Sequence, residues 1–173
     1  PLVLMFYGEP GIGKTETAKQ LSETLYGNEN VIREQMSMVG GESSVKYFKS
    51  TNHSEDSFSK TLLNRESNVI LLDEFALAPA FFHSTFFQMF DEGVYEDQNY
   101  KVDLKNSIII CTSNFKSLLE MEKNIDIALL SRFDGFVKFY PLSIDEKRKI
   151  LKITYSKIIS SESMTKNYQK YLK

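Results

Sequence analysis

One cysteine, Cys111, is all this chain of 173 residues contains. That excludes an intrachain disulfide and fits a reducing, cytoplasmic setting. Charge of one sign is not in excess. Lys and Arg number 21 against 23 Asp and Glu, for a net charge of −2. No general electrostatic pull draws such a chain to nucleic acid, so no direct nucleic-acid partner is expected. Long apolar runs are missing too. A membrane span needs about 20 residues, and the best stretch, "VILLDEFALAPAFF", carries Asp73 and Glu74 in its middle; no membrane partner is expected. The opening "PLVLMFY" has no charged segment before it and does not read as a signal peptide. So abrupt a start predicts a piece of a longer protein. There is no internal repeat, no low-complexity tract and no obvious linker. His53 and His83 lack metal-ligand companions and read as structural or surface residues.

What is present is ordinary globular material, 42% hydrophobic and 25% charged, long enough for one domain with a real core. Short apolar runs alternate with helical patterns. The runs 2–7, 30–36, 68–75, 107–114 and 135–140 read as buried strands. Helices are predicted from Gly13 to about Tyr26, over 56–66 and over 80–91. Gly27-Asn28 stops the first of them. Residues 37–55 read as a polar loop and 91–106 as a hairpin or other excursion from the sheet. Phenylalanines within 81–90 read as core, and Cys111 as an inert strand residue. Strands apolar on both faces, alternating with helices, predict a three-layer α/β/α sandwich around a five-stranded, mainly parallel sheet. After Ser143 the pattern changes. Ser143 and Glu146 have capping-box spacing, and Ile150, Leu151, Ile153, Ile158 and Ile159 give the following helix an apolar face.

Gly8-Glu9-Pro10-Gly11-Ile12-Gly13-Lys14-Thr15, followed by Glu16, fits the pattern of a glycine, four residues, then Gly-Lys-Thr. Glycines let the backbone curl its N–H groups toward phosphate oxygens, and the following helix offers its positive end. Lys14 is placed to reach the β- and γ-phosphates, and Thr15 to ligate Mg²⁺. The buried run "VILLDEF" ends in two acids, which are costly to bury unless they emerge at the sheet edge and meet a cation. Asp73 would hold Mg²⁺, and Glu74 would activate the attacking water. Asn114, closing "IIICTSN", suits a contact to the γ-phosphate or the water. The three segments share one edge, because each follows the C-terminal end of a predicted parallel strand. In open α/β sheets, that is where ligands bind. Arg132, in "ALLSRFDGF", reads either as a surface ion-pair residue or as an arginine finger acting on a neighbouring subunit's nucleotide. The guanine-reading Asn-Lys-x-Asp pattern is absent, and Glu74 directly follows Asp73, so ATP is expected rather than GTP.

Together these residues resemble the AAA+ ATPases of the Clp/chaperone-disaggregase branch, over nearly the whole chain. The stretch from Phe87 to Asn114 is the most specific part: a helix, "DEG", a polar hairpin, "VDLKNSIII" and "TSN". The resemblance implies Lys14 and Thr15 as phosphate and Mg²⁺ contacts and Asp73 and Glu74 as the Walker B pair. It implies Asn114 as sensor 1 and Arg132 as the arginine finger. It further implies ATP turnover coupled to the remodelling of a protein partner, and self-association into a ring, expected to be a hexamer. Residues 1–142 would be the nucleotide-binding large subdomain and 143–173 the truncated start of a helical lid. The Gly-aromatic-Val-Gly loop with which Clp motors grip polypeptide has no counterpart here. Tyr47 and Phe48 are the only adjacent aromatics of that region. An ATP-controlled assembly switch, or a DNA-associated loader or mobile-element ATPase, therefore stands as the alternative.

Overall fold

A computed structural model describes residues 1–49 and 56–160. The chain divides into two compact units, Pro1–Tyr140 and Pro141–Lys173. The first is built around β1 (Leu2–Tyr7), β2 (Ile32–Gln35), β3 (Val69–Asp73), β6 (Ile108–Ser113) and β7 (Gly135–Lys138). They form one sheet in the order β2-β3-β6-β1-β7, every neighbour parallel. A separate antiparallel hairpin, β4 (Val94–Glu96) with β5 (Lys101–Asp103), occupies the predicted place.

The three inner strands explain their own continuous apolar runs. Along β3, Ile70 and Leu72 join the larger core while Val69 and Leu71 join the smaller one. Ile109 and Cys111 of β6 divide from Ile110 in the same way. The two-residue period of a strand sends alternate side chains to opposite faces, and both faces are covered. Ala18 of α1 (Lys14–Tyr26) belongs to the smaller core, with Leu21 packed against it. The larger core takes Phe48 from α2 (Glu42–Lys49), Phe58 and Leu62 from α3 (Phe58–Leu63), and Phe82 from α4 (Ala80–His83). It also takes Met89 and Phe90 from α5 (Phe87–Asp91), Met121 from α6 (Leu118–Asn124), and Leu129 and Leu130 from α7 (Ile127–Leu130).

Four expectations need correction. Residues 42–49 are helical rather than loop. Their polar composition hid one apolar face, carried by Val45 and Phe48, and Phe48 packs on Phe58, Phe82 and Phe86. Residues 50–55, including His53, lie outside the described residues. The helix expected over 80–91 is broken into α4, a 3-10 turn at Ser84–Phe86, and α5. Finally, the outer strands are not fully buried. Phe136 and Val137 of β7 are exposed, and β2 is exposed or half-buried, because each has a neighbour on one side only. The phenylalanines of 81–90 also divide: Phe82, Phe86 and Phe90 are buried, Phe87 is half-buried against the larger core, and Phe81 is exposed.

The second unit holds α8 (Ile144–Ser160). Ser143 and Glu146 cap it reciprocally. The Glu146 carboxylate accepts from the Ser143 N–H at 2.7 Å, and the Ser143 hydroxyl accepts from the Glu146 N–H at 3.3 Å. Ile150, Leu151 and Ile153 on this helix are exposed. Residues 161–173 of the expected lid lie outside the described residues.

Candidate nucleotide-phosphate site

The loop between β1 and α1 is shaped by its glycines. Gly8 has φ +141°, and a Cβ there would lie 2.5 Å from the Phe139 carbonyl oxygen and 2.9 Å from Ile12 Cδ1. Gly13, at φ +97°, turns the chain into α1 from a left-handed conformation that side chains resist. The loop thus delivers Lys14 and Thr15 to the first turn of α1, at the carboxyl edge of the sheet.

Lys14 is nearly buried. Its ammonium donates to the carbonyl oxygens of Gly8 at 2.7 Å and Glu9 at 2.8 Å, and to Asn114 Oδ1 at 3.2 Å. Burial pushes its pKa down, against the opposing pull of the Asp73 and Glu74 charges. The Thr15 hydroxyl lies 3.4 and 3.2 Å from the two Asp73 carboxylate oxygens. Burial by itself would raise the Asp73 pKa. Hydrogen bonds from Thr112, Arg33 and Thr15, with the Arg33 charge, outweigh it and hold this carboxyl below the usual range. Glu74 follows at the end of β3 and accepts from Gln35 Nε2 at 2.5 Å.

Lys14, Thr15, Asp73, Glu74 and Asn114 therefore face one cleft of roughly 380 Å³, which Pro10, Gly11, Gly13 and Glu16 also line. Gly8, Glu9 and Ile12 shape the loop without lining it. A larger groove along the outer edge of β2, roughly 560 Å³, contains none of these five residues. Arg132 lies elsewhere. Its guanidinium donates to Asp91 at 2.8 Å and to the Ala128 carbonyl, and stacks 4.0 Å over the Phe87 ring. His83 is buried, within 3.3 Å of the Phe75 carbonyl, and has no part in the cleft.

Sequence reasoning did not find Arg33, Gln35 or Thr112, all of which line the cleft. Arg33 Nε and Nη2 donate to one Asp73 oxygen at 3.0 and 2.6 Å. The Thr112 hydroxyl donates to the other at 2.5 Å. A signal existed for the first two. Arg33 and Gln35 stand two apart in a predicted parallel strand and so share a face, but the pairing of β2 with β3 was not legible.

The arrangement is a lysine, a hydroxyl, two acids and an amide converging at the start of a helix, the layout that cradles a polyphosphate. Among the described residues, no helix is long and apolar enough to cross a membrane. The family model described as AAA domain (Cdc48 subfamily) matches residues 2–171. The chain is 34% identical to the AAA+ ATPase ClpV1 of Pseudomonas aeruginosa, across 90% of this chain and 21% of that protein. It is 32% identical to the ATP-dependent Clp protease ATP-binding subunit ClpL of Staphylococcus aureus, across 86% and 24%. It is 37% identical to the chaperone protein ClpB of Yersinia enterocolitica, across 68% and 14%. The chain thus spans about a quarter or less of these curated relatives. Its fold matches a cryo-EM reconstruction of Hsp104 with ATPγS and FITC casein. The TM-score is 0.82 at 24% identity, covering 94% of this chain and 33% of that one.

Proposed function

This chain belongs to the AAA domain family (Cdc48 subfamily), with Clp-type proteins among its relatives, and on that premise we propose that it binds Mg·ATP in the cleft and hydrolyses it. One observation carries the proposal: Lys14, Thr15, Asp73, Glu74 and Asn114, drawn from three separate segments, meet at one place.

The residues fit a magnesium ion. Thr15 and Asp73 set hard oxygen atoms side by side. Among the described residues, no group of three or more His, Cys, Asp or Glu forms a metal cage. That suits an ion held partly by substrate phosphates, as Mg²⁺ commonly is. Bound there, it would neutralise charge developing on the phosphates. Lys14 would exchange the Gly8 and Glu9 carbonyls for phosphate oxygens. Glu74, released from Gln35, would orient and deprotonate the attacking water. Asn114 would hold the γ-phosphate or that water. Arg132 lines no part of this cleft, so any role in hydrolysis requires a second subunit. That fits an arginine finger in a ring, for which six subunits are the expected number. α8 then opens the helical lid that follows the nucleotide-binding subdomain. The setting is cytoplasmic, and the work driven is remodelling of a protein partner.

The test is turnover and binding by the purified protein and two variants. Lys14→Ala should lose nucleotide binding. Glu74→Gln should bind Mg·ATP and lose turnover by on the order of 10²–10⁴-fold, the usual contribution of a general base. Near-normal turnover in Glu74→Gln would remove the role given to Glu74. Stimulation by an unfolded protein is expected. ATP-driven assembly without it would indicate a switch, and stimulation by DNA would indicate a loader.

A further inference from the structure

Thr112 opens the "TSN" stretch at the end of β6, but the sequence assigned a role only to Asn114. Leu72 of β3 registers with Cys111 of β6, so the residues one step on, Asp73 and Thr112, lie side by side at the carboxyl edge. The Thr112 side chain is buried, at 1% exposure. Its hydroxyl is used in both directions. It donates to Asp73 Oδ1 at 2.5 Å and accepts the backbone N–H of Glu74 at 2.8 Å. Glu74 has φ +54° and ψ +38°. Among the described residues it is the sole non-glycine residue with positive φ. A residue with a Cβ is held in that conformation only where its surroundings fix it. Here the Thr112 oxygen takes the Glu74 N–H just where β3 ends and the chain must turn. That turn places the Glu74 carboxylate within reach of Gln35 and at the cleft.

We propose that Thr112 is a positioning residue for both acids, its one hydroxyl fixing the Asp73 carboxylate and the left-handed backbone of Glu74. The inference rests on the proposed hydrolysis but acts through geometry. The Thr112 hydroxyl bonds Asp73 and the Glu74 N–H, whereas Lys14 bonds Gly8, Glu9 and Asn114, so losing that hydroxyl should fall on the two acids before it falls on phosphate binding. Hydroxyl loss releases two groups at once: an Asp73 oxygen loses a donor, and a Glu74 N–H loses its acceptor.

Thr112→Val keeps the shape and removes the hydroxyl. Thr112→Ser keeps the hydroxyl. In the full chain, Thr112→Val should lower kcat for Mg·ATP by on the order of 10²-fold, the cost of a catalytic group displaced by about 1 Å. Binding of a fluorescent ADP without Mg²⁺ should fall much less than kcat, because neither lost hydrogen bond goes to Lys14. Thr112→Ser should recover most of the rate. A Thr112→Val protein with wild-type kcat, or a fall in kcat that serine does not rescue, overturns the proposal. A second measurement needs neither turnover nor a variant. The Glu74 amide of the wild type should resist hydrogen exchange, and its NMR coupling should report positive φ. Rapid exchange with ordinary φ overturns the proposal even if the enzyme is active. If the wild type shows these backbone signatures yet neither binds nor hydrolyses ATP, the functional reading fails while the role of Thr112 in the turn stands.

Discussion

Replacing Arg33 by glutamine tests the electrostatics of the site without touching any motif residue. The side chain of Asp73 is 7% exposed and that of Arg33 is 47% exposed. Two contacts, at 3.0 and 2.6 Å, run from the guanidinium to one carboxylate oxygen. An exposed ion pair is worth about 0–1 kcal/mol, and a hydrogen bond to a charged group about 1.5–3 kcal/mol. With one partner buried and the other half in solvent, the pair falls between these limits, at about 1–2 kcal/mol. The loss stays short of the roughly 3–5 kcal/mol of a stranded buried charge, because Thr112 and Thr15 still hold Asp73. Arg33→Gln should therefore lower Tm by roughly 2–8 °C, at about 2–4 °C per kcal/mol for a chain of this length. A double-mutant cycle with Asp73→Asn, followed by thermal denaturation, isolates the pair. Coupling within about 0.3 kcal/mol of zero would refute the reasoning. A second arm adds Mg·ADP. If a metal ion near Asp73 supplies the positive charge that Arg33 supplies without it, the Arg33→Gln deficit should shrink. An undiminished deficit would show that the two cations do not share the carboxylate.

Other residues give sharper contrasts. Phe48→Ala removes a ring packed on Phe58, Phe82 and Phe86 and should cost about 3–5 kcal/mol of stability; an unchanged Tm would refute its place in the core. Glu34 sits on β2, where burial raises its pKa against the opposing hydrogen bond from the Tyr47 hydroxyl. A carboxyl so raised contributes stability below its unfolded value of about 4.3 and loses it as pH rises through the folded value. Glu34→Gln should accordingly gain Tm over the wild type at pH 7 and lose that advantage below about pH 4.3; a gain independent of pH would reject the assignment. Arg132→Ala and Glu74→Gln should each be inactive alone, yet regain part of the turnover when mixed, if Arg132 serves a neighbour's nucleotide; no recovery in co-assembled protein would end that reading.

Legibility followed the physics of each segment. The inner strands were readable because burial on both faces forces unbroken apolar runs, as in Val69–Asp73. The glycine loop was readable because its backbone conformations select glycine, with Gly8 closed against Phe139. α2 was not readable. Eight residues carry one buried side chain, Phe48, and what orders them is tertiary contact with aromatics from α3 and α4. α6 and α7 were missed for a related reason. They are seven and four residues long, too short for helical periodicity to declare itself. Their starts were nonetheless marked, since the Ser117 side chain accepts from Glu120 N–H and the Asp126 side chain from Ala128 N–H.

The cleft shows the same division at finer grain, and the sheet order explains it. β1, β6 and β3 lie side by side, and their carboxyl ends supply Lys14, Asn114, Asp73 and Glu74, the residues that pattern and spacing could name. What acts on those residues comes laterally. Arg33 and Gln35 reach Asp73 and Glu74 from the neighbouring strand β2, with Gln35 in register with Asp73. Thr112 reaches both acids from β6 on the other side. Lateral partners are set by strand order and register, which a linear pattern does not carry. Asp73, which closes β3, and Glu74, which follows it, are therefore held from both flanks. A substitution in β2 should alter Asp73 and Glu74 through Arg33 and Gln35 while leaving the glycine loop intact. A substitution in that loop should do the reverse.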